Sequence, residues 1–334
     1  METLLQLSLV ILISCHSVLT ETKIKRFPRN VPSRFESLDI CNYEIPSKIN
    51  FHSNHHSISI RKCGEYVAEV DLRERQREFN KKCKNQWTVE STPEYSHMAA
   101  VGLKTGRGSF KLQCAGALIS PNFVLTAFTC YMHPNKNLKV SPNIVRLGTP
   151  NIKNQHQTAV NIGIKRIIKH PMQKDIYNDL ALVELSKAVQ FSKYIQPVCL
   201  STVAEISHRP ISVTGWNFRS SKNIYKPFNS TLQSANISKF DKNCFAKETK
   251  TNFNQKMFCS DNINIDGIAS CPSKCGSTLQ INLNVSKNEG ALYKLLAIIP
   301  PQNNKNSADT CKSNEVIYIE IKPYLNWIEQ NVWP

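Results

Sequence analysis

From about residue 88 onward the chain is written in short apolar segments set between turn-forming clusters: AGALIS, NFVLTAF, NIVRLG, LALVEL, ISVTGW, YKLLAII and EVIYIEI. Segments of this length suit strands, and their even recurrence predicts an all-β domain of barrel or sandwich type. The last stretch, Lys322 to Val332 (KPYLNWIEQNV), departs from that pattern. Its apolar residues Tyr324, Leu325, Trp327, Ile328 and Val332 fall largely on one helical face, so a C-terminal amphipathic helix is expected. The 334 residues, 41% of them hydrophobic, suffice for one large domain and a smaller segment.

The chain opens with an apolar run, Leu4 to Leu19, followed by polar residues from Glu21. The run is short for a membrane span, and residues 1–20 read as a secretory signal peptide, with an N-terminal anchor as the other reading. No other stretch is apolar enough to span a bilayer. Residues 21–87 are polar and rich in Asn, Ser, His and Arg, and read as a small irregular pro-segment or linker in which Val67–Asn80 has the composition of a charged helix. His52, His55 and His56 cluster there, but their spacing matches no common zinc pattern, so a solvated loop is expected and no metal or other cofactor.

There are 12 cysteines, and Cys15 leaves with the signal peptide. The odd remainder predicts at least one thiol without an intramolecular partner. Sequons at Asn229, Asn236 and Asn284 are candidate glycosylation sites. The net charge of +17 admits adhesion to acidic glycans, although the basic residues are scattered. No nucleic-acid motif is present.

Read in order, the motifs CAGALISPNFVLTAFTC, YNDLALVEL, IQPVCL, VTGW, CPSKCGSTLQI and NWI make residues 88–334 resemble the trypsin/chymotrypsin-like serine protease family. The resemblance implies a chymotrypsin-like double six-stranded β-barrel with a C-terminal helix. It also implies disulfides Cys114–Cys130, Cys244–Cys259 and Cys271–Cys311. Cys199 resembles the cysteine that ties such domains to their propeptides. Cys63, in RKCGEY, resembles the linker cysteine of insect clip-domain proteases. Cys63–Cys199 and Cys41–Cys83 would follow, with the choice between Cys63 and Cys83 left open by sequence. Cys275 would then be the odd thiol. A clip domain needs six cysteines, and residues 21–87 hold three, so no complete clip is expected.

Peptide hydrolysis on this scaffold needs a nucleophile, an adjacent base, an acid that orients the base, and amides that stabilise an oxyanion. The resemblance puts Thr129 where the family carries its histidine, Asp179 at the aspartate and Cys275 at the nucleophilic serine. A threonine hydroxyl is no base near neutral pH. Ser273 replaces the oxyanion glycine, and Lys274 the aspartate that pairs with a newly cut N-terminus. Gln86-Trp87-Thr88-Val89-Glu90-Ser91 replaces the activation cleavage sequence, and Ala269 falls at the base of the specificity pocket. Ile299-Pro300-Pro301 takes the place of the strand that would hold substrate backbone, and prolines donate no amide.

With no intact catalytic triad, the expectation is a secreted, extracellular, non-catalytic serine protease homologue with a binding or regulatory role in a proteolytic cascade. Proteases, serpins or protease substrates are its expected partners. The alternatives are an active serine-type endopeptidase, or one using the Cys275 thiol, and a module that binds acidic glycans.

Overall fold

A computed structural model describes residues 57–84, 94–105, 109–131, 141–153, 157–173, 178–202, 209–220, 229–237, 240–241, 257–261, 263–265, 268–272, 275–286, 288–301 and 315–334. Among them, no helix is long and apolar enough to cross a membrane. The expected signal peptide, the histidine cluster at 52–56 and the Gln86–Ser91 segment lie outside the described residues.

Six antiparallel strands close the first barrel: β1 (Met98–Lys104), β2 (Phe110–Ser120), β3 (Phe123–Thr126), β4 (Ile144–Leu147), β5 (Val160–Lys169) and β6 (Ala181–Leu185), in the order β1-β2-β3-β6-β5-β4. Closure is made where Ala100, Val101 and Gly102 of β1 pair with Arg146, Val145 and Ile144 of β4. A barrel leaves no sheet edge to be capped. Its interior is lined by Val101, Leu118, Leu125, Val145, Leu147, Ile162, Leu182 and their neighbours, all buried.

The second half is an eight-stranded sheet that forms an open half-barrel. It uses β7 (Cys199–Leu200), β8 (Ile211–Trp216), β10 (Leu232–Ile237), β11 (Phe240–Asp241), β12 (Met257–Asp261), β15 (Thr278–Asn282), β16 (Tyr293–Ile298) and β17 (Glu315–Glu320). Seven of them run in the order β10-β8-β15-β16-β17-β12-β11, and β7 lies parallel to β16. A small sheet of β9 (Phe218–Ser220), β13 (Ile263–Ile265) and β14 (Ile268–Pro272) completes the strands. The architecture is the chymotrypsin-like one expected, and every apolar segment singled out from sequence contributes to a strand.

The C-terminal segment turns once as a 3-10 helix at Lys322–Tyr324 and continues as an α-helix at Leu325–Val332. Tyr324, Ile328 and Val332 are buried against the first barrel's core, with Leu325 and Trp327 packed at its margin.

The segment before the barrels is more ordered than the expected irregular linker. Helix α1 runs from Ile58 to Cys83, nine residues earlier than the Val67 start read from sequence. Ser59, Cys63, Tyr66, Val67 and Val70 are buried at helical spacing, which marks the docked face. Along its length it carries the ion pairs Lys62–Glu65, Glu69–Arg73 and Asp71–Arg75, each worth about 0.2–0.5 kcal/mol in a helix. Docking is specific. Tyr66 Oη donates to Ile119 O at 2.9 Å, and the Ser59 amide donates to Glu329 Oε1 at 2.8 Å. Glu74 accepts from Ser286 Oγ, from Asn288 Nδ2, and from the Asn288 and Glu289 amides, both at 3.2 Å. The Cys63–Cys199 disulfide fixes the helix to β7, which settles the Cys63 versus Cys83 alternative.

Candidate active-site region

Thr129, Asp179 and Cys275, the three positions singled out from sequence, each sit next to a strand end. Thr129 lies in a 3-10 turn, Phe128–Tyr131, just after β3. Asp179 precedes β6 and is fully buried. It is presented by Asn178, whose backbone is left-handed at φ 52°. Asn178 is held from both sides: Tyr324 Oη donates to its Oδ1 at 2.9 Å, and its Nδ2 donates to Met172 O at 2.9 Å. Cys275 precedes β15 and is half-buried.

Thr129 and Asp179 meet as a closed pair. The Thr129 amide donates to Asp179 Oδ1 at 2.8 Å, and Thr129 Oγ1 donates to Oδ2 at 2.7 Å. Both carboxylate oxygens are therefore occupied by one threonine. Burial pushes the Asp179 carboxyl up to about 6, against the lowering effect of the Thr129 hydroxyl, the Thr129 amide and the Phe128 amide. A hydroxyl that donates to a carboxylate orients nothing and accepts no proton at neutral pH.

Two imidazoles are described elsewhere and neither joins the pair. His97 is buried with its Nε2 at 2.7 Å from Gln280 Oε1, and burial lowers its ring to about 4 despite that bond. His170 packs edge-on against Tyr324 and Trp327, and its Nδ1 accepts from the Met172 amide. His133 lies outside the described residues.

Around Cys275 the backbone is pinned. Its carbonyl accepts from the Ala115 amide at 3.1 Å, and the Gly276 amide donates to Ile299 O at 2.8 Å. Gly276 has φ +83°, and a Cβ there would collide with the Ala115 carbonyl and Thr126 Oγ1, so only glycine fits. The Cys275 thiol faces the Cys114–Cys130 disulfide: its Sγ lies 2.6 Å from Cys130 Sγ and 3.2 Å from Cys114 Sγ. These three are the one set of possible metal-ligating groups among the described residues. Two of the sulfurs are bonded to each other, and a disulfide sulfur is no thiolate ligand.

Beyond β16, Ile299 donates to Ser277 O at 2.9 Å, after which Pro300 and Pro301 supply no amide hydrogen. Ala269 lies on β14 opposite Asn264. Ser273 and Lys274 lie outside the described residues, as do Cys41, Cys244 and Cys311. Of the disulfides expected from sequence, Cys63–Cys199 and Cys114–Cys130 are present, and Cys83 and Cys259 are also disulfide-bonded. Asn229, Asn236 and Asn284 are all exposed. The structure brings together Thr129 and Asp179, two of the three positions the sequence singled out. Sequence reasoning missed the Glu74 latch and the contact of Cys275 with the disulfide, and no spacing in the sequence signals either.

The family model described as Trypsin matches residues 87–328. "Serine protease snk" of Drosophila melanogaster is 34% identical over 175 residues, 48% of this chain and 39% of that protein. "Phenoloxidase-activating factor 3" of Holotrichia diomphalia is 26% identical over 263 residues, 72% of this chain and 69% of that protein. "Inactive serine protease PAMR1" of Xenopus tropicalis is 23% identical over 241 residues, 68% of this chain and 33% of that protein. The chain thus spans well under half the length of the first and third of these relatives.

Proposed function

This chain belongs to the trypsin family, and from that premise we propose that it is a secreted, non-catalytic member that acts by binding. The observation that carries the reading is the Thr129–Asp179 pair. At the position of the family's general base stands a hydroxyl, and it occupies both oxygens of the carboxylate that would orient a base. Cys275 retains a nucleophilic atom, and that atom lies against a disulfide. A relative named as an inactive serine protease supports the absence of catalysis, and one named as a phenoloxidase-activating factor supports a regulatory role. The partners are extracellular proteases, their inhibitors or their substrates.

The proposed organisation is a signal peptide over residues 1–20, a pro-segment over 21–87 held to the domain by Cys63–Cys199, and a protease-homology domain over 88–334. The exposed Asn229, Asn236 and Asn284 are its glycosylation sites. The test uses the secreted full-length protein, a panel of fluorogenic peptides, and serine- and thiol-directed probes. Turnover should not exceed that of Cys275→Ala, and mild crosslinking should retrieve a protease, inhibitor or protease substrate. Peptide cleavage that disappears in Cys275→Ala would overturn the proposal.

A further inference from the structure

We propose that Cys114, Cys130 and Cys275 form a thiol–disulfide exchange site, in which the disulfide of Cys130 moves between Cys114 and Cys275. The three sulfurs stand on three elements: Cys114 on β2, Cys130 in the turn after β3, and Cys275 at the entry to β15. The Cys275 thiol is 2.6 Å from one bonded sulfur and 3.2 Å from the other. All three sulfurs lie within 4.8 Å of one another.

The backbone keeps the Cys275 thiol there. The Ala115 amide bonds the Cys275 carbonyl, the Gly276 amide bonds Ile299 O, and Gly276 has no room to shift toward the Ala115 carbonyl. Ala115 directly follows Cys114, so the anchored strand of the disulfide and the anchored thiol share a hydrogen bond.

The step is an internal isomerisation. Half-buried Cys275 gives its proton to solvent, and the thiolate attacks Cys130 Sγ. A Cys275–Cys130 bond forms, the Cys130–Cys114 bond breaks, and the departing Cys114 thiolate takes a proton from solvent. One disulfide and one thiol are present before and after, so no oxidant or reductant is consumed. The thiol lies beside the bond and close to both its sulfurs, not along its extension. Exchange therefore requires a side-chain rotation at Cys275 or Cys130 that brings the sulfurs into line. Its product joins different parts of the fold. Cys114–Cys130 spans 16 residues inside the first barrel, whereas Cys130–Cys275 spans 145 and ties the first barrel to the second sheet.

The test maps disulfides in the secreted full-length protein, quenched in acid, alkylated with N-ethylmaleimide and digested without reduction. Wild type held at mildly alkaline pH should yield two species, one alkylated at Cys275 and one alkylated at Cys114 with a Cys130–Cys275 bond. Cys275→Ser should abolish alkylation at Cys114. Cys114→Ser should contain a Cys130–Cys275 disulfide and be alkylated at neither. Wild type alkylated at Cys275 alone, with Cys114–Cys130 the sole bond in this region, would overturn the inference. So would a folded Cys114→Ser alkylated at both Cys130 and Cys275. If that variant is not secreted, the wild-type map decides.

Discussion

Replacing Thr129 by Ala removes one hydrogen bond from a buried carboxylate and leaves Asp179 Oδ2 without the partner now 2.7 Å away. A hydrogen bond to a charged group is worth about 1.5–3 kcal/mol, and to a neutral one about 1 kcal/mol. In a domain of this size about 1 kcal/mol corresponds to 2–4 °C, so Thr129→Ala should lower Tm by roughly 4–8 °C at pH 8. The pH dependence identifies the carboxyl as the cause. In the folded protein Asp179 is raised to about 6 from an ordinary 3.8, chiefly by burial. The folded state therefore holds this proton more tightly than the unfolded state. Stability from this group is fully present below about pH 4 and is lost as pH rises through about 6, by about 3 kcal/mol in all. Removing the hydroxyl takes away an interaction that favours the ionised form, so the carboxyl rises further and the loss continues above pH 6. Scanning calorimetry of both proteins from pH 4.5 to 8 should show a gap that widens with pH. In an Asp179→Asn background the Thr129→Ala gap should be flat. A gap that is constant or larger in acid would refute the account of the pair.

Glu74→Ala should release the C-terminal half of α1 and accelerate tryptic cleavage after Arg75, Arg77 or Lys81 several-fold, read by mass spectrometry of limited digests. Burial acts to raise the Glu74 carboxyl, but its hydrogen bonds to Ser286, Asn288 and Glu289 outweigh it and hold the group below its ordinary value. Its contribution to docking is thus present above about pH 4.5 and lost as pH falls, so in acid the amide hydrogen-exchange protection of α1 in wild type should fall towards the variant's. Gly276→Ala should cost more than about 3 kcal/mol, through the left-handed backbone and the collision with the Ala115 carbonyl. Secretion yield and Tm measure it, and wild-type values would show that the loop has another conformation.

Strands buried at nearly every position were legible because they are written as mostly apolar runs, β3, β6 and β16 above all. β5 was not, because VNIGIKRIIK lies on the barrel with most of its residues facing outward and reads as a polar stretch. The first turns of α1 were hidden by two isoleucines and Gly64, poor helix residues that tertiary burial sustains. Thr129, Asp179 and Cys275 could be singled out because each sits in a local motif. The Glu74 latch joins groups more than 200 residues apart, and nothing local encodes it. Cysteine counting identified an odd thiol, and resemblance assigned it to Cys275. That it rests on another disulfide is a property of the folded chain alone.

The docked α1 behaves as a ligand that has lost the ability to leave. Its contacts to Ile119, Ser286, Asn288 and Glu329 would make a modest interface if the helix were a separate peptide. The Cys63–Cys199 bond converts that association into a unimolecular one, governed by a local effective concentration instead of by dilution. Opening of the helix therefore depends on salt and acid but not on protein concentration, and every opening is followed by return to the same surface. A competitor for that surface must outbid the tether, which reserves the patch for partners that bind the helix and the domain together.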